Sequence, residues 1–248
     1  MNPIAIVSDI HSNLEALNAV LARIAALGIR TIYSLGDTIG YGPDPEACTL
    51  LAQSRCAMRL LGNHEHSLLN PDDLITNPVA AQSQAWTRRR LEAAGLLEAA
   101  TRLPMSHTEG DALFVHGSVR GLITGYVKET DYSGASAFDD ILASLKRDFT
   151  SFRICFVGHN HTPFLATADG FIHPHEGMTE FYVGSGKMYI SVGSVGQPRD
   201  EDPRACFVTF DGESVTYHRV AYDIPATQAK LAATGLDMIL ADRLAWGG

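Results

Sequence analysis

The first third of the chain switches between two hydrophobic periods. Ile4 to Ser8 (IAIVS) is a short, almost wholly apolar run, as expected of a strand buried on both faces. Behind it, Leu14, Leu17, Val20, Leu21, Ile24 and Leu27 recur at helical spacing, and Gly28 offers a left-handed stop before a second strand from Thr31 to Leu35. Ser12, with Glu15 three places on, has the form of a capping box and is expected to start that helix. The result is a βαβ opening. The alternation continues through the loop GDTIGYGPDP into a helix with Pro45 in its first turn, then into a strand from Cys56 to Leu61 that ends in GNHE.

Residues 70 to 104 break this rhythm. Asn77 before Pro78 predicts a helix to about Ala94, closed by Gly95, so the stretch is read as a helical insertion. Beyond it, hairpin signals dominate. A Gly110-Asp111 turn precedes ALFVH, a helix is expected near 135 to 147, the strand ICFV follows, and turns fall at Asp169-Gly170 and Asp211-Gly212. A last amphipathic helical segment is expected at about 226 to 246. No repeat or linker divides the sequence, which predicts one α/β domain over residues 1 to 248.

Composition narrows the class. With 46% apolar and 19% charged residues, a chain of 248 can bury a large core. A formal net charge of -9 argues against a protein that grips extended nucleic acid through its phosphates, and favours a small substrate. Divalent ions would still make a locally positive site on such an acidic chain. No secretory core precedes Ile4 and no 18 apolar residues run together, so the expectation is a cytoplasmic protein with no membrane partner. Cys48, Cys56, Cys155 and Cys206 form no CxxC pair and read as reduced, packed thiols.

The chemistry gathers at strand ends. Asp9 and His11 follow IAIV, Asp37 follows IYSL, Asn63 and His64 follow MRLL, His116 follows ALFV, and His159 and His161 follow ICFV. In α/β sheets the loops beyond the carboxyl ends of strands converge on one crevice, so five such loops can bring their side chains together. Carboxylates, an amide oxygen and imidazoles without thiolates suit borderline divalent metals such as Mn, Fe, Co or Zn. Hydrolysis at two metals needs an anion that bridges them, and Asp37 is the candidate. One DxH or GHxH alone reads as an ordinary polar loop; five strand-end clusters together do not.

In their order, the blocks DIH, GD, GNHE, HG and GHNH resemble those of the calcineurin-like metallophosphoesterase superfamily: DxH, GD, GNH[DE], H and GHxH. The resemblance runs from residue 4 to about 210. It is closest to small bacterial and archaeal members of phosphodiesterase type with SDIHSNLEAL and LGDxxGYGPDP openings. It implies a four-layer αββα sandwich with two mixed sheets. It also implies two divalent ions, Mn first with Fe, Zn, Co or Ni as alternatives. Asp9, His11 and His161 would hold one ion and Asn63, His116 and His159 the other, with Asp37 between. His64 would contact the phosphate as general acid, and a hydroxide between the ions would attack it. The activity implied is phosphodiester or phosphomonoester hydrolysis; a metal-binding interaction scaffold without turnover is the alternative.

The sequence departs from the phosphoprotein phosphatase branch, which continues from GD to Asp-Arg where Gly40 and Tyr41 stand here. The missing Arg removes a planar phosphate fork, and the missing Asp removes a group that would orient the histidine. Arg199, in GSVGQPRD, could supply a phosphate contact from another loop, and Tyr41 could wall the site. His173 and His175 read as a solvated loop, and Arg88, Arg89 and Arg90 as the outer face of the insertion helix.

Overall fold

The computed structural model describes residues 2–70, 77–133 and 141–248. Along the chain, β1 (Ile4–Val7), α1 (Leu14–Ala26), β2 (Thr31–Ser34), α2 (Pro45–Arg55), β3 (Met58–Arg59) and α3 (Asn63–Leu69) are followed by helices α4 (Pro78–Ala93) and α5 (Leu97–Thr101). Then come β4 (Ser106–Glu109), β5 (Ala112–Val115), α6 (Ile141–Arg147), β6 (Ile154–Val157), β7 (Phe164–Thr167), β8 (Phe171–Ile172), β9 (Glu180–Tyr182) and β10 (Met188–Ser191). The chain closes with β11 (Ala205–Phe210), β12 (Ser214–Val220), α7 (Ile224–Ala232) and α8 (Ile239–Asp242). Part of the helix expected near 135 to 147, and part of the stretch from 70 to 104, lie outside the described residues.

The strands form two mixed six-stranded sheets, ordered β3-β2-β1-β11-β12-β9 and β4-β5-β6-β10-β7-β8. β1, β2 and β3 run parallel in the first; β5, β6 and β10 run parallel in the second. Period-2 alternation in strands apolar on both faces explains the layering. Ile4 and Ile6 face the second sheet in a shared core with Phe114, Phe156, Ile190, Val208 and Tyr217. Ala5 and Val7 face outward onto Leu17, Val20 and Ile24 of α1. Leu113, Val115, Cys155 and Val157 likewise face outward onto Ile141 and Leu145 of α6. Helix, sheet, sheet and helix therefore stack as an αββα sandwich, with the rings of Phe114 and Phe156 stacked 5.1 Å apart at its middle.

Three local expectations need correction. Asn13, not Ser12, caps α1, accepting from the Ala16 N–H at 3.1 Å. Ser12 has a positive φ of 52° and donates its N–H to Thr38 O, because the loop curls back toward β2 before the helix begins. β3 is two residues long rather than six, since it is an edge strand whose register with β2 covers Tyr33↔Met58 and Ser34↔Arg59. The C-terminal helical segment comes in pieces: Gly235, with φ of 76°, ends the run after α7, and a 3-10 turn over Arg243–Ala245 follows α8. All four cysteines are free thiols. No helix among the described residues is long and apolar enough to cross a membrane.

Candidate metal centre

The parallel strands of both sheets point their carboxyl ends to the same edge of the sandwich. From the first sheet, the loop after β1 carries Asp9 and His11, the loop after β2 carries Asp37, and Asn63 and His64 open α3 just beyond β3. From the second sheet, His116 follows β5, and His159 and His161 follow β6. Seven of the eight non-glycine residues with positive φ among those described belong to this edge: Asp9, His11, Ser12, Asp37, Tyr41, His159 and His161. Left-handed backbone costs a residue with a Cβ about 1–3 kcal/mol and survives where surrounding bonds over-determine it. Those bonds are present: Asp9 N–H to Gly36 O, His11 N–H to Asp37 O, and Gly158 N–H to His116 O, at 2.9–3.1 Å.

Each carboxylate spends one oxygen on the scaffold and turns the other inward. Asp9 Oδ2 accepts from His159 N–H (3.0 Å), while Oδ1 has no hydrogen-bond partner and lies 3.3 Å from His161 Nε2. Asp37 Oδ1 accepts from His64 N–H (2.8 Å); its Oδ2 lies 3.4 Å from His116 Nε2, 3.7 Å from His11 Nε2 and 3.9 Å from His64 Nε2. Asn63 Oδ1 is 3.0 Å from His116 Nε2, and the buried His159 Nε2 has no partner. Three overlapping groups could each hold a cation: Asp9 with His11 and His161, His11 with Asp37 and His64, and Asp37 with His116 and His159.

The imidazoles of His11 and His161 are the most informative. Their Nε2 atoms face each other at 3.0 Å, while His11 Nδ1 reaches Ile39 O (3.1 Å) and His161 Nδ1 reaches Gln197 O (2.5 Å). A nitrogen facing a carbonyl must be N–H, so in the neutral rings both Nε2 atoms carry lone pairs. Burial, with the charges of His64 and His161, holds His11 well below the usual imidazole range; burial and Arg199 lower His161. Two neutral lone pairs at this separation repel, and a cation between them and Asp9 Oδ1 resolves the repulsion. The residues thus fit a divalent ion.

His116 differs. Burial opposes its charge, but the facing Asp37 outweighs it and raises His116 to about 9. Asp37 is correspondingly held well below the carboxylate range by His116 and His64 despite its burial. Burial, with His116, pushes His159 down to about 3, and burial takes His64 to about 4 against the pull of Asp37.

Several participants were not apparent from sequence. Glu65 accepts from the N–H groups of Gly62 (3.0 Å), Asp37 (2.9 Å) and Thr38 (2.6 Å), so it moulds the Asp37 loop. Burial and the Asp37 charge push it up to about 8, yet both its oxygens face N–H donors, an environment that fits the anion. Gly62 permits this approach: a Cβ there would collide with Asp37. The loop after β10 adds a sixth contributor, since Gln197 supplies the carbonyl to His161 and Gly196 N–H binds Asp9 O. Tyr126 lies 4.0 Å from the His159 ring. Gln84, on α4, reaches His64 Nδ1 at 2.5 Å. One signal for it was present: the buried face of α4 is unusually polar, with Ser83, Gln84 and Thr87 among its five buried residues.

Arg199 and Tyr41 lie at the rim. Tyr41 packs 4.4 Å from the His64 ring and 4.7 Å from His11, and the Arg199 guanidinium is 6.0 Å from the Tyr41 ring. Arg199 binds Gln197 Oε1 (2.7 Å), its Nε is buried without a partner, and no carboxylate among the described residues pairs with it. His173 and His175 are exposed and contact Glu129 and Glu176 O instead. Arg88 and Arg90 form surface ion pairs with Glu92 and Glu46.

Comparison with known proteins agrees with this geometry. A metallophosphoesterase from Sphaerobacter thermophilus has the same architecture, with a TM-score of 0.84, 36% identity, and coverage of 99% of this chain and 100% of that one. The hypothetical protein PH1004 from Pyrococcus horikoshii OT3 shares the fold at 19% identity, with a TM-score of 0.78 and coverage of 100% and 99%. The fold and the strand-end His/Asp clusters define a metallophosphoesterase. Residues 2–214 match the profile of the calcineurin-like phosphoesterase superfamily domain, and the chain belongs to that superfamily. It is also 34% identical over 251 residues to the uncharacterized protein MJ0912 of Methanocaldococcus jannaschii, across 98% of each chain.

Proposed function

We propose that this protein hydrolyses small phosphate esters at a pair of divalent cations. Asp9, His11 and His161 would hold one, Asn63, His116 and His159 the other, and Asp37 would be shared between them. The observation that carries this reading is the facing pair His11 Nε2 and His161 Nε2, 3.0 Å apart, with both Nδ1 atoms committed to carbonyls and the unpartnered Asp9 Oδ1 alongside. Imidazole, carboxylate and amide donors suit borderline divalent metals, and we take Mn first with Fe, Zn, Co or Ni as alternatives. When bound, such ions supply Lewis acidity at the phosphoryl group and a nucleophile at neutral pH.

The protein's own groups supply the rest. His64 Nε2, facing the same space as Asp37 Oδ2, donates a proton to the departing oxygen. Arg199, a guanidinium with no carboxylate partner among the described residues, binds the phosphoryl oxygens from the rim, and Tyr41 walls the site beneath it. Gly40 and Tyr41, in place of the acid and arginine of the protein phosphatase branch, favour small diesters or monoesters over phosphoproteins. The test is metal analysis combined with turnover of bis(p-nitrophenyl) phosphate, p-nitrophenyl phosphate, cyclic nucleotides and dinucleoside polyphosphates. Two ions per chain, and activity that chelation abolishes and Mn restores, are expected. At most one ion at saturation would end the two-cation reading, and two ions without turnover on any ester would favour the interaction scaffold.

A further inference from the structure

We propose that Gln84, delivered by α4, is the positioning residue of His64. The inference rests on the reading of His64 as proton donor given above. The His64 main chain is fixed by its N–H bond to Asp37 Oδ1, but that bond does not set the ring. The ring has two nitrogens, and only one can face the reacting space. Nδ1 lies 2.5 Å from the Gln84 side-chain amide, which leaves Nε2 directed toward Asp37 Oδ2 at 3.9 Å. Both side chains are nearly inaccessible, with His64 4% and Gln84 5% exposed, so water does not compete for this bond.

The surroundings are shaped for the contact. Gly40, with φ of 89°, clears the room: a Cβ there would overlap His64 Nδ1, so this position leaves Nδ1 open to Gln84. The neighbouring helix residue latches α4 to the same loop, since Ser83 Oγ accepts from Tyr41 N–H at 2.7 Å. The Tyr41 ring then closes on His64 edge-on, at 4.4 Å and 63°. Gln84 Oε1 is buried with no hydrogen-bond partner among the described residues, so the amide's contact is with His64 alone. Whichever end of the amide faces the ring, Nδ1 is occupied and Nε2 is the nitrogen left for substrate. Helix α4 thereby becomes part of the site although none of the strand-end motifs lies on it.

The experiment compares Gln84→Met, Gln84→Glu, His64→Ala and the double variant His64→Ala/Gln84→Met. Each is measured with Mn on a nucleoside or alkyl phosphate ester and on the matching p-nitrophenyl ester. Met keeps the volume and removes the hydrogen bond. Gln84→Met is expected to keep metal content and a cooperative fold, with Tm lowered by no more than several degrees for the unpaired Nδ1, and to lower kcat on the poor leaving group about tenfold, as for other groups that orient a functional histidine. KM and the p-nitrophenyl ester should change little. Adding Gln84→Met to His64→Ala should cost nothing more. Gln84→Glu, which retains reach and a hydrogen-bonding oxygen, should recover most of the loss, whereas a merely structural role would make this buried charge the worse substitution. Unchanged kcat in Gln84→Met, or the same loss in the His64→Ala background, would overturn the assignment. If the wild-type chain turns over neither ester, or His64→Ala is neutral, the functional reading fails instead. The positioning is then judged by ¹⁵N spectra of histidine-labelled protein. Gln84→Met must move the His64 Nδ1 resonance, and a resonance that stays in place refutes the contact.

Discussion

The two halves of the candidate metal centre are prepared in opposite ways. Around Asp9, His11 and His161, each ring has its Nδ1 on a backbone carbonyl, and the rings are held neutral by burial. Around Asn63, His116 and His159, no such lock exists among the described residues: His116 Nδ1 is buried without a partner, and its Nε2 is divided between Asn63 Oδ1 and Asp37 Oδ2. There burial opposes a charge on His116, but the facing Asp37 outweighs it and favours the protonated ring, a proton that a cation in the proposed site would have to displace. The first half is organised by hydrogen bonds to carbonyls, the second by the charge pairing of His116 with Asp37. Asp37 is the element common to both, with Oδ2 within 4 Å of His11, His64 and His116.

The largest effect should come from that shared carboxylate. Asp37→Asn is expected to reduce bound metal from two ions to fewer than one per chain and to lower turnover by about 10²- to 10³-fold or more. Metal analysis after dialysis decides it. A variant that keeps one tightly bound ion would break the symmetry and assign Asp37 to the other half alone.

Proton release sharpens the contrast. His116, raised to about 9, is protonated at neutral pH in the metal-free protein, so the ion that enters its half must displace a proton. Apparent affinity for that ion should fall as pH falls, by about tenfold per unit below pH 9. The first half, with neutral imidazoles and an Asp9 held below the ordinary carboxylate range by His161 and His116 despite burial, should release none. Calorimetric titration in buffers of different ionisation enthalpy between pH 6.5 and 8.5 measures both. Equal proton release by the two ions would remove the distinction.

Smaller effects test the supports. Arg199 belongs to the side of the first half, since its N–H binds His161 O. Arg199→Ala should lower kcat/KM about 10- to 100-fold, the worth of a charge-assisted contact, with metal content unchanged. Loss of an ion would make Arg199 part of the scaffold of that half rather than a phosphate contact. Glu65 serves the shared Asp37 loop through backbone N–H groups alone. Glu65→Gln exchanges one acceptor oxygen for a donor and should cost about 1.5–3 kcal/mol, or roughly 3–12 °C in Tm. An unchanged Tm would show that the loop holds its form without the carboxylate.

Much of this architecture was legible because it is encoded locally. Strands such as IAIV and ICFV are apolar at every position and bounded by polar loops, so their burial between two layers follows from their own residues. The placement of Asp9, His116 and His159 after such strands follows equally, and with Asp37 after β2 and Asn63 after the short edge strand β3 it gathers the donors at one edge of the sandwich. The capping of α1 was misread for the opposite reason. Ser12 has the right chemistry for a cap, but its N–H is committed to Thr38 O in the loop after β2, a partner no short-range pattern reveals.

The sequence by itself therefore determined the period of each element, the order of the strand-end motifs and the kinds of donor they carry, since these depend on neighbouring residues. Tertiary structure alone decided which nitrogen of each ring faces inward. His11 and His161 meet across 150 residues, their orientation is set by carbonyls of Ile39 and Gln197, and Gln84 comes to His64 from a helix outside every motif. Those contacts follow from how two sheets register and where a helix packs. They depend on distances in space that sequence separation does not report.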